Sequence, residues 1–179
     1  MVVFETRRLM VRTAQVSVAD IGLFWSLWNC PCVMWYVGFP EGLGIKKSAV
    51  EHLIHEGLKD ILTANLVVVR KSDSRSIGEC KLGRPDTDLV SETDVKLLPA
   101  YQRQGYGTEV KQGLVDYLFT HTDCRVVRAT PNRENAASQR MQERVGARQT
   151  GEGVYRFEKA MRVPTCDVPY VKYELTRED

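Results

Sequence analysis

The segment Leu66-Val67-Val68-Val69 has no polar side to turn toward water. Three of its four residues are β-branched, so it reads as a buried strand. A polar turn over Lys71 to Ser76 and a second strand over Ile77 to Leu82 make it one arm of an antiparallel hairpin. Ser91 to Leu98 reads as a third strand of this group, cut off by Pro99. On either side the apolar period becomes helical. Ile21, Phe24, Trp25 and Trp28 fall at i, i+3, i+4 and i+7, which predicts a helix over Val18 to Trp28, ended by Pro31. Gly38 to Gly44 reads as a loop. Ser48 and Glu51 form a capping box with the serine as N-cap. The helix after it carries Val50, Leu53, Ile54, Leu58, Ile61 and Leu62 on one side. Gly105 to Thr120 is a third helix, and Asn135 to Val145 a fourth, stopped by Gly146. Strands over Glu5 to Thr13, Arg125 to Thr130, Val154 to Lys159 and Val168 to Leu175 complete the order β-α-α-β-β-β-α-β-α-β-β. That order predicts an α/β fold with a mixed six- or seven-stranded sheet and helices on both faces.

The 179 residues fit one domain, 1–179, with no repeat, linker or low-complexity stretch. Lys and Arg number 25 against 23 Asp and Glu, a net charge of +2 that argues against a dedicated nucleic-acid binder. No apolar run approaches the ~20 residues of a membrane span, and the first residues lack a signal-peptide core. Cys30, Cys32, Cys80, Cys124 and Cys166 are odd in number and form no disulfide framework. Cys30-Pro31-Cys32 lacks the two-residue spacing of a redox pair, and His52, His55 and His121 complete no metal pattern with it. The expectation is reduced thiols, no metal and a cytoplasmic protein with no membrane partner.

The most informative stretch is Gln102-Arg103-Gln104-Gly105-Tyr106-Gly107-Thr108, between a predicted strand and a predicted helix. A glycine-rich turn opening a helix offers unpaired backbone N–H groups and the positive end of the helix dipole, an arrangement that binds phosphate or pyrophosphate. Side chains at Gly105 and Gly107 would hold the phosphates off the backbone. The dinucleotide fingerprint fails because Val110 stands three residues after Gly107, and no Walker-type Gly-Lys-Ser/Thr follows. A plain glycine-containing strand–helix turn remains the alternative for the bare motif.

The run Val95-x-Leu97-x-Pro99-x-x-Gln102-x-x-Gly105-x-Gly107 resembles motif A of the GNAT superfamily, the N-acetyltransferases that use acetyl-CoA. The likeness extends along the chain. Glu5-Thr6-Arg7-Arg8-Leu9-Met10-Val11-Arg12 is similar to the opening of the subfamily that holds the ribosomal-protein N-terminal acetyltransferases. Asn135-Ala136-Ala137-Ser138 with Val145-Gly146-Ala147, and the closing Tyr173 to Asp179, are similar to later segments of that subfamily.

The resemblance implies splayed central strands with the pantetheine arm of CoA between them. Val95, Lys96 and Leu97 would pair with its amides through their backbones. Arg103, Gln104, Gly105, Tyr106, Gly107 and Thr108 would wrap the pyrophosphate. Arg103 either adds a charge-assisted contact or is a solvated helix-start residue, and Tyr106 is a packing residue whose N–H matters more than its ring. Glu92 stands where the subfamily often carries a glutamate and is the candidate general base. Asp94, two residues on, is the runner-up, and a solvated pair at a strand start is the alternative for both. Asn135 would contact the pantetheine region and Ser138 would donate to the departing thiolate, unless Asn132 or Asn135 simply caps the helix. Gln142 stands where many members carry a tyrosine as general acid, and Ala147 replaces the usual aromatic after the glycine. Trp25, Trp28, Trp35 and Tyr36 are candidates for the acceptor wall, with core packing the alternative reading for the first two.

The implied activity is transfer of an acetyl group from acetyl-CoA, as co-substrate, to a primary amine, either a protein N-terminus or a small molecule. A non-catalytic acyl-CoA sensor and a transferase for longer acyl groups are the alternatives. The resemblance leaves a homodimer open.

Overall fold

The elements run β1 (Val2–Glu5), β2 (Leu9–Thr13), α1 (Val18–Trp28), α2 (Pro31–Met34), α3 (Lys47–Gly57), β3 (Leu66–Arg70), β4 (Arg75–Lys81), β5 (Val90–Glu92), β6 (Asp94–Leu97), α4 (Tyr106–His121), β7 (Val126–Ala129), α5 (Ala136–Arg144), β8 (Arg148–Tyr155) and β9 (Val168–Thr176). They are seen in a computed structural model that describes residues 1–57, 59–158, 161 and 163–177. The expectations for Leu58, Lys159, Glu178 and Asp179 lie outside the described residues.

β3 is the centre of the fold because both of its faces are buried. Val67 and Val69 join a core made with Phe24, Leu27, Val50 and Ile54 of α1 and α3. Leu66 and Val68 join a second core made with Val110, Leu114 and Leu118 of α4. An apolar run with alternating side chains has no face for water, so the sheet must be covered twice. The helices therefore lie on both faces, as the element order predicts.

The sheet itself differs from the expectation. Among the described residues there are two sheets, β1-β2-β3-β4-β6 and β5-β7-β9-β8, rather than one of six or seven strands. Two predicted strands are each divided. Glu5 to Thr13 contains a hairpin turn, so β1 and β2 pair antiparallel with Glu5 opposite Met10. The turn is held from outside. Glu109 of α4 accepts from Thr6 Oγ1 at 2.6 Å, Arg8 N at 2.7 Å and Arg8 Nε at 2.6 Å. Ser91 to Leu98 is divided at Thr93, which changes sheets.

Three local expectations are also corrected. α3 begins at Lys47, so Ser48 lies in its first turn and is not the N-cap; the helix is described over Lys47–Gly57, and Ile61 and Leu62 lie in a turn beyond it. Pro31 follows the end of α1 but opens α2, because proline suits a first helical position whose N–H needs no partner. Cys30 and Cys32 are joined in a disulfide, leaving Cys80, Cys124 and Cys166 free. The turn at Pro31 brings the two Cα atoms to 5.4 Å, inside the range a disulfide spans. No helix among the described residues is long and apolar enough to cross a membrane.

Candidate active site

Thr93 creates the site. β5 runs parallel to β7, with Glu92 opposite Arg128, and Thr93 N donates to Arg128 O at 3.2 Å. At the next residue the chain turns to β4 on its other side, pairing Asp94 with Lys81 and Leu97 with Gly78. A gap therefore opens between β6 and β7, closed at its Thr93 end. Leu98 N donates to Ile77 O on the β4 side at 2.9 Å. Strand alternation then turns the backbone groups of Lys96 toward β4 and those of Val95 and Leu97 into the gap. Leu97 O is taken by Gln102 Nε2 at 3.0 Å. Val95 N–H is held by the Asp94 carboxylate, and among the described residues Val95 C=O and Leu97 N–H are left as an open strand edge.

The gap leads to the start of α4. Gly105 has φ +79° and Arg103 has φ +58°, both left-handed. For Arg103 that conformation costs about 1–2 kcal/mol, strain of the kind kept at ligand clamps. Glu109 N donates to Gly105 O, so the N–H groups of Tyr106, Gly107 and Thr108 have no partner within the helix. Gln104 sits in the loop with its side chain on Ala100 O at 2.8 Å, while its own carbonyl accepts from Arg8 Nη1 at 3.0 Å. Arg8 also lies 4.5 Å from the centre of the Tyr106 ring, which is buried. Gly107 has a reason the sequence did not suggest. A Cβ there would meet Met141 Sδ of α5 at 3.2 Å, so this glycine also lets α5 approach α4.

A cleft of about 1680 Å³ joins this cradle to the gap. Its lining includes Leu97, Arg103, Gly107, Thr108, Asn135 and Ser138. Asn135 caps α5 by accepting from Ser138 N at 3.1 Å, so the capping alternative describes its side chain. Asn132 is the bracket beside it, accepting from Glu134 N and donating to Tyr36 O at 3.4 Å. Gln142, one turn beyond Ser138, is 3% exposed, and its Oε1 is buried with no hydrogen-bond partner among the described residues.

The other side of β6 carries charges. Glu79 of β4 is 2% exposed and accepts from Trp28 Nε1 at 2.7 Å. Lys96 lies 3.3 Å from the same carboxylate oxygen and also pairs with Asp94. Burial opposes the Lys96 charge, but Asp94 and Glu79 outweigh it and hold its pKa above the ordinary lysine value. Glu92 is exposed at the end of β5, and its Oε1 accepts from Thr130 Oγ1 at 2.8 Å. Asp94 is thus committed to Lys96, whereas among the described residues Glu92 is tied to a hydroxyl. Trp28 is a core residue, and Trp25 stacks under Lys47 with Nζ 5.3 Å from its ring centre. Tyr36, with Phe39, Tyr155 and Phe157, lines the cleft. Trp35 is half exposed and is not among the lining residues.

One site residue escaped sequence reasoning. Lys111, on α4, is 2% exposed, and its Nζ donates to Thr93 Oγ1 at the closed end of the gap. Burial lowers its pKa to about 8, against the opposing pull of Asp94 and Glu92. The only signal was a lysine beside Val110 on the apolar side of the helix.

This forked sheet with a glycine cradle corresponds to a known family. A family model described as the acetyltransferase (GNAT) domain matches residues 8–148. The chain belongs to the GNAT acetyltransferase family. Solved GNAT structures share its fold over nearly its whole length. A GNAT acetyltransferase from Bacillus anthracis is 20% identical with a TM-score of 0.79, covering 98% of each chain. Spermidine N-acetyltransferase from Vibrio cholerae, determined with CoA and spermine, is 18% identical with a TM-score of 0.80, covering 97% of this chain and 98% of its own. The ribosomal L7/L12 alpha-N-protein acetyltransferase RimL, determined with CoA, is 14% identical with a TM-score of 0.77, covering 98% of each. A comparison with curated proteins finds no match.

Proposed function

We propose that this GNAT protein transfers the acetyl group of acetyl-CoA to a primary amine by direct attack in a ternary complex. The observation that carries the reading is the open edge of Val95 and Leu97 running into three unpaired helix N–H groups. That edge suits a chain with two amides ending in a pyrophosphate, which is the make-up of CoA. In this reading Val95 and Leu97 pair with the pantetheine amides, and Lys96 holds the strand to β4. Arg103, Gln104, Gly105, Tyr106, Gly107 and Thr108 surround the pyrophosphate, with Asn135 shaping the far wall. The reading takes Ser138 as a neighbour of the thioester.

Glu92 is the proposed base. The acceptor enters as an ammonium, gives a proton to the carboxylate directly or through water, and attacks the thioester carbonyl as a neutral amine. Oriented backbone N–H groups in the gap stabilise the oxyanion. The Glu92 carboxylate, free of any lysine or arginine among the described residues, and the aromatic wall of the cleft suit a cationic acceptor, whether a peptide N-terminus, as the ribosomal-protein-type subfamily would take, or a small-molecule amine. The reaction is assigned to the cytoplasm, where acetyl-CoA is supplied and where reductants would act on the Cys30–Cys32 bond.

The test is an acetylation screen over peptide N-termini, polyamines and amino sugars, read by release of free thiol. Acetylation of one class supports the proposal. CoA binding with no acceptor acetylated across the panel overturns the enzyme reading. The cradle has its own test. Gly105→Val puts a β-branched residue at φ +79° and its Cβ 3.3 Å from Arg8 Nη2. The left-handed backbone alone costs about 1–2 kcal/mol, so CoA should bind about tenfold or more weakly by calorimetry. Unchanged affinity in a folded variant would move the pyrophosphate elsewhere.

A further inference from the structure

Lys111 is an ammonium in a place that packing does not require. Its neighbours on α4, Val110, Leu114 and Val115, are buried in the apolar core. Gly107 and Lys111 are four residues apart and share a helix face. Gly107 packs toward Met141 and Leu97, so Lys111 rises from the same stripe one turn deeper in the cleft. Among the described residues its Nζ bonds one group, the neutral Thr93 hydroxyl, although an ammonium has three N–H donors. The charged groups around it are otherwise engaged: Glu92 with Thr130, Asp94 with Lys96, and Arg128 of β7 with Glu174 at 2.8 Å. Two donor positions of Lys111 therefore stand at the closed end of the gap, away from the phosphate cradle.

If CoA lies as proposed above, its arm runs from the cradle past Leu97 and Val95 and brings its sulfur to the Thr93 end. We propose that Lys111 is the general acid of the transfer, giving a proton from Nζ to the CoA sulfur as the tetrahedral intermediate collapses. The C–S bond breaks, its electron pair goes to sulfur, and an S–H bond forms. Lys111 is left as a neutral amine and recovers its proton from water, while the acceptor gives up two protons, one to Glu92 before attack and one from the nitrogen of the tetrahedral intermediate to water. The inference rests on the acetyl-CoA reading. Two observations support it. Gln142 is an amide and has no proton to give. Burial brings the Lys111 pKa to about 8, into the neighbourhood of the ~8.5 of a cysteine thiol, so proton transfer to a sulfur is not steeply uphill.

The test uses the complex of the protein with CoA alone, so it needs neither acceptor nor turnover. The thiolate of bound CoA is titrated by its ultraviolet absorbance in the wild type, Lys111→Met and Lys111→Arg. An ammonium beside the sulfur should depress the bound thiol's pKa by about one unit or more. Methionine should abolish that depression and arginine should keep it. Methionine for a lone buried ammonium is expected to leave the fold intact, checked by thermal melting. In turnover, wild-type kcat should fall as pH rises through about 8, because the acid is lost when Lys111 deprotonates. Both variants should lower kcat about 10²-fold with acetyl-CoA affinity retained, since arginine holds its proton too tightly to donate it. CoA bound with the same thiol pKa in wild type and Lys111→Met would overturn the assignment and leave the acetyl-CoA reading standing. Failure of the wild type to bind CoA would overturn both.

Discussion

Glu92→Gln is expected to lower kcat about 10²- to 10⁴-fold while CoA binds as before. Glu92 ends β5, and its backbone is set by the pairing with Arg128, so the side chain can change without disturbing the fork. Glutamine keeps an oxygen for the Thr130 hydroxyl, which now lies 2.8 Å from Glu92 Oε1. It cannot accept a proton from the incoming ammonium. The loss should thus fall on kcat, with the affinity for CoA retained. Steady-state rates with the acceptor found by the screen, together with calorimetric CoA affinity, check it. Retention of kcat within about threefold would transfer the role to Asp94 or to a water chain, because general-base effects are normally far larger.

Asp20→Ala should produce the largest loss of stability, about 3–5 kcal/mol, the range for breaking a buried ion pair. Asp20 in the first turn of α1 is fully buried. Both of its oxygens accept from Arg12 of β2 at 2.7 Å, and one also accepts from Gln15 N at 2.8 Å. Alanine leaves the mostly buried guanidinium without a counter-charge and the Gln15 N–H without an acceptor. For a domain of this size the melting temperature should fall by roughly 6–20 °C. Urea unfolding of the two proteins measures the difference directly. The site lies elsewhere, so CoA affinity of the folded variant at low temperature should match the wild type. A loss below about 1 kcal/mol would mean that Arg12 finds water or another partner once Asp20 is gone.

Several elements were legible because their signals are local. The period of Val110, Leu114 and Leu118 marks α4, and the continuous run at Leu66 to Val69 marks a strand buried on both faces. The turn at Gly105 is legible for the same reason: a left-handed residue before a helix favours glycine whatever surrounds it. The resemblance to the family rested on these same stretches. Other features depend on partners far away in the chain. The hairpin turn at Thr6 to Arg8 is held by Glu109, about a hundred residues later, so the arginine-rich opening reads as one strand until α4 is in position. The close approach of Met141 to Gly107 is likewise invisible locally, because α5 lies about thirty residues further along the chain. The disulfide was missed because Cys30-Pro31-Cys32 matches no redox spacing, whereas the turn at Pro31 alone brings the two cysteines together.

The sequence by itself determined most of the helices and strands, the glycine turn that opens α4 and the family, since each is written in residues close together along the chain. Only the tertiary structure decided where the strands part, which carboxylate is committed and where Lys111 ends. Thr93 carries no local mark of a fork: β7 takes the strand on one side of it and β4 takes it on the other. Asp94 and Glu92 are equivalent acids two residues apart until Lys96 engages one of them. Lys111 is an ordinary helical lysine until folding removes its water and leaves it, among the described residues, the Thr93 hydroxyl. Burial and partnership belong to the assembled chain, and they convert a common side chain into a group able to move a proton near neutral pH.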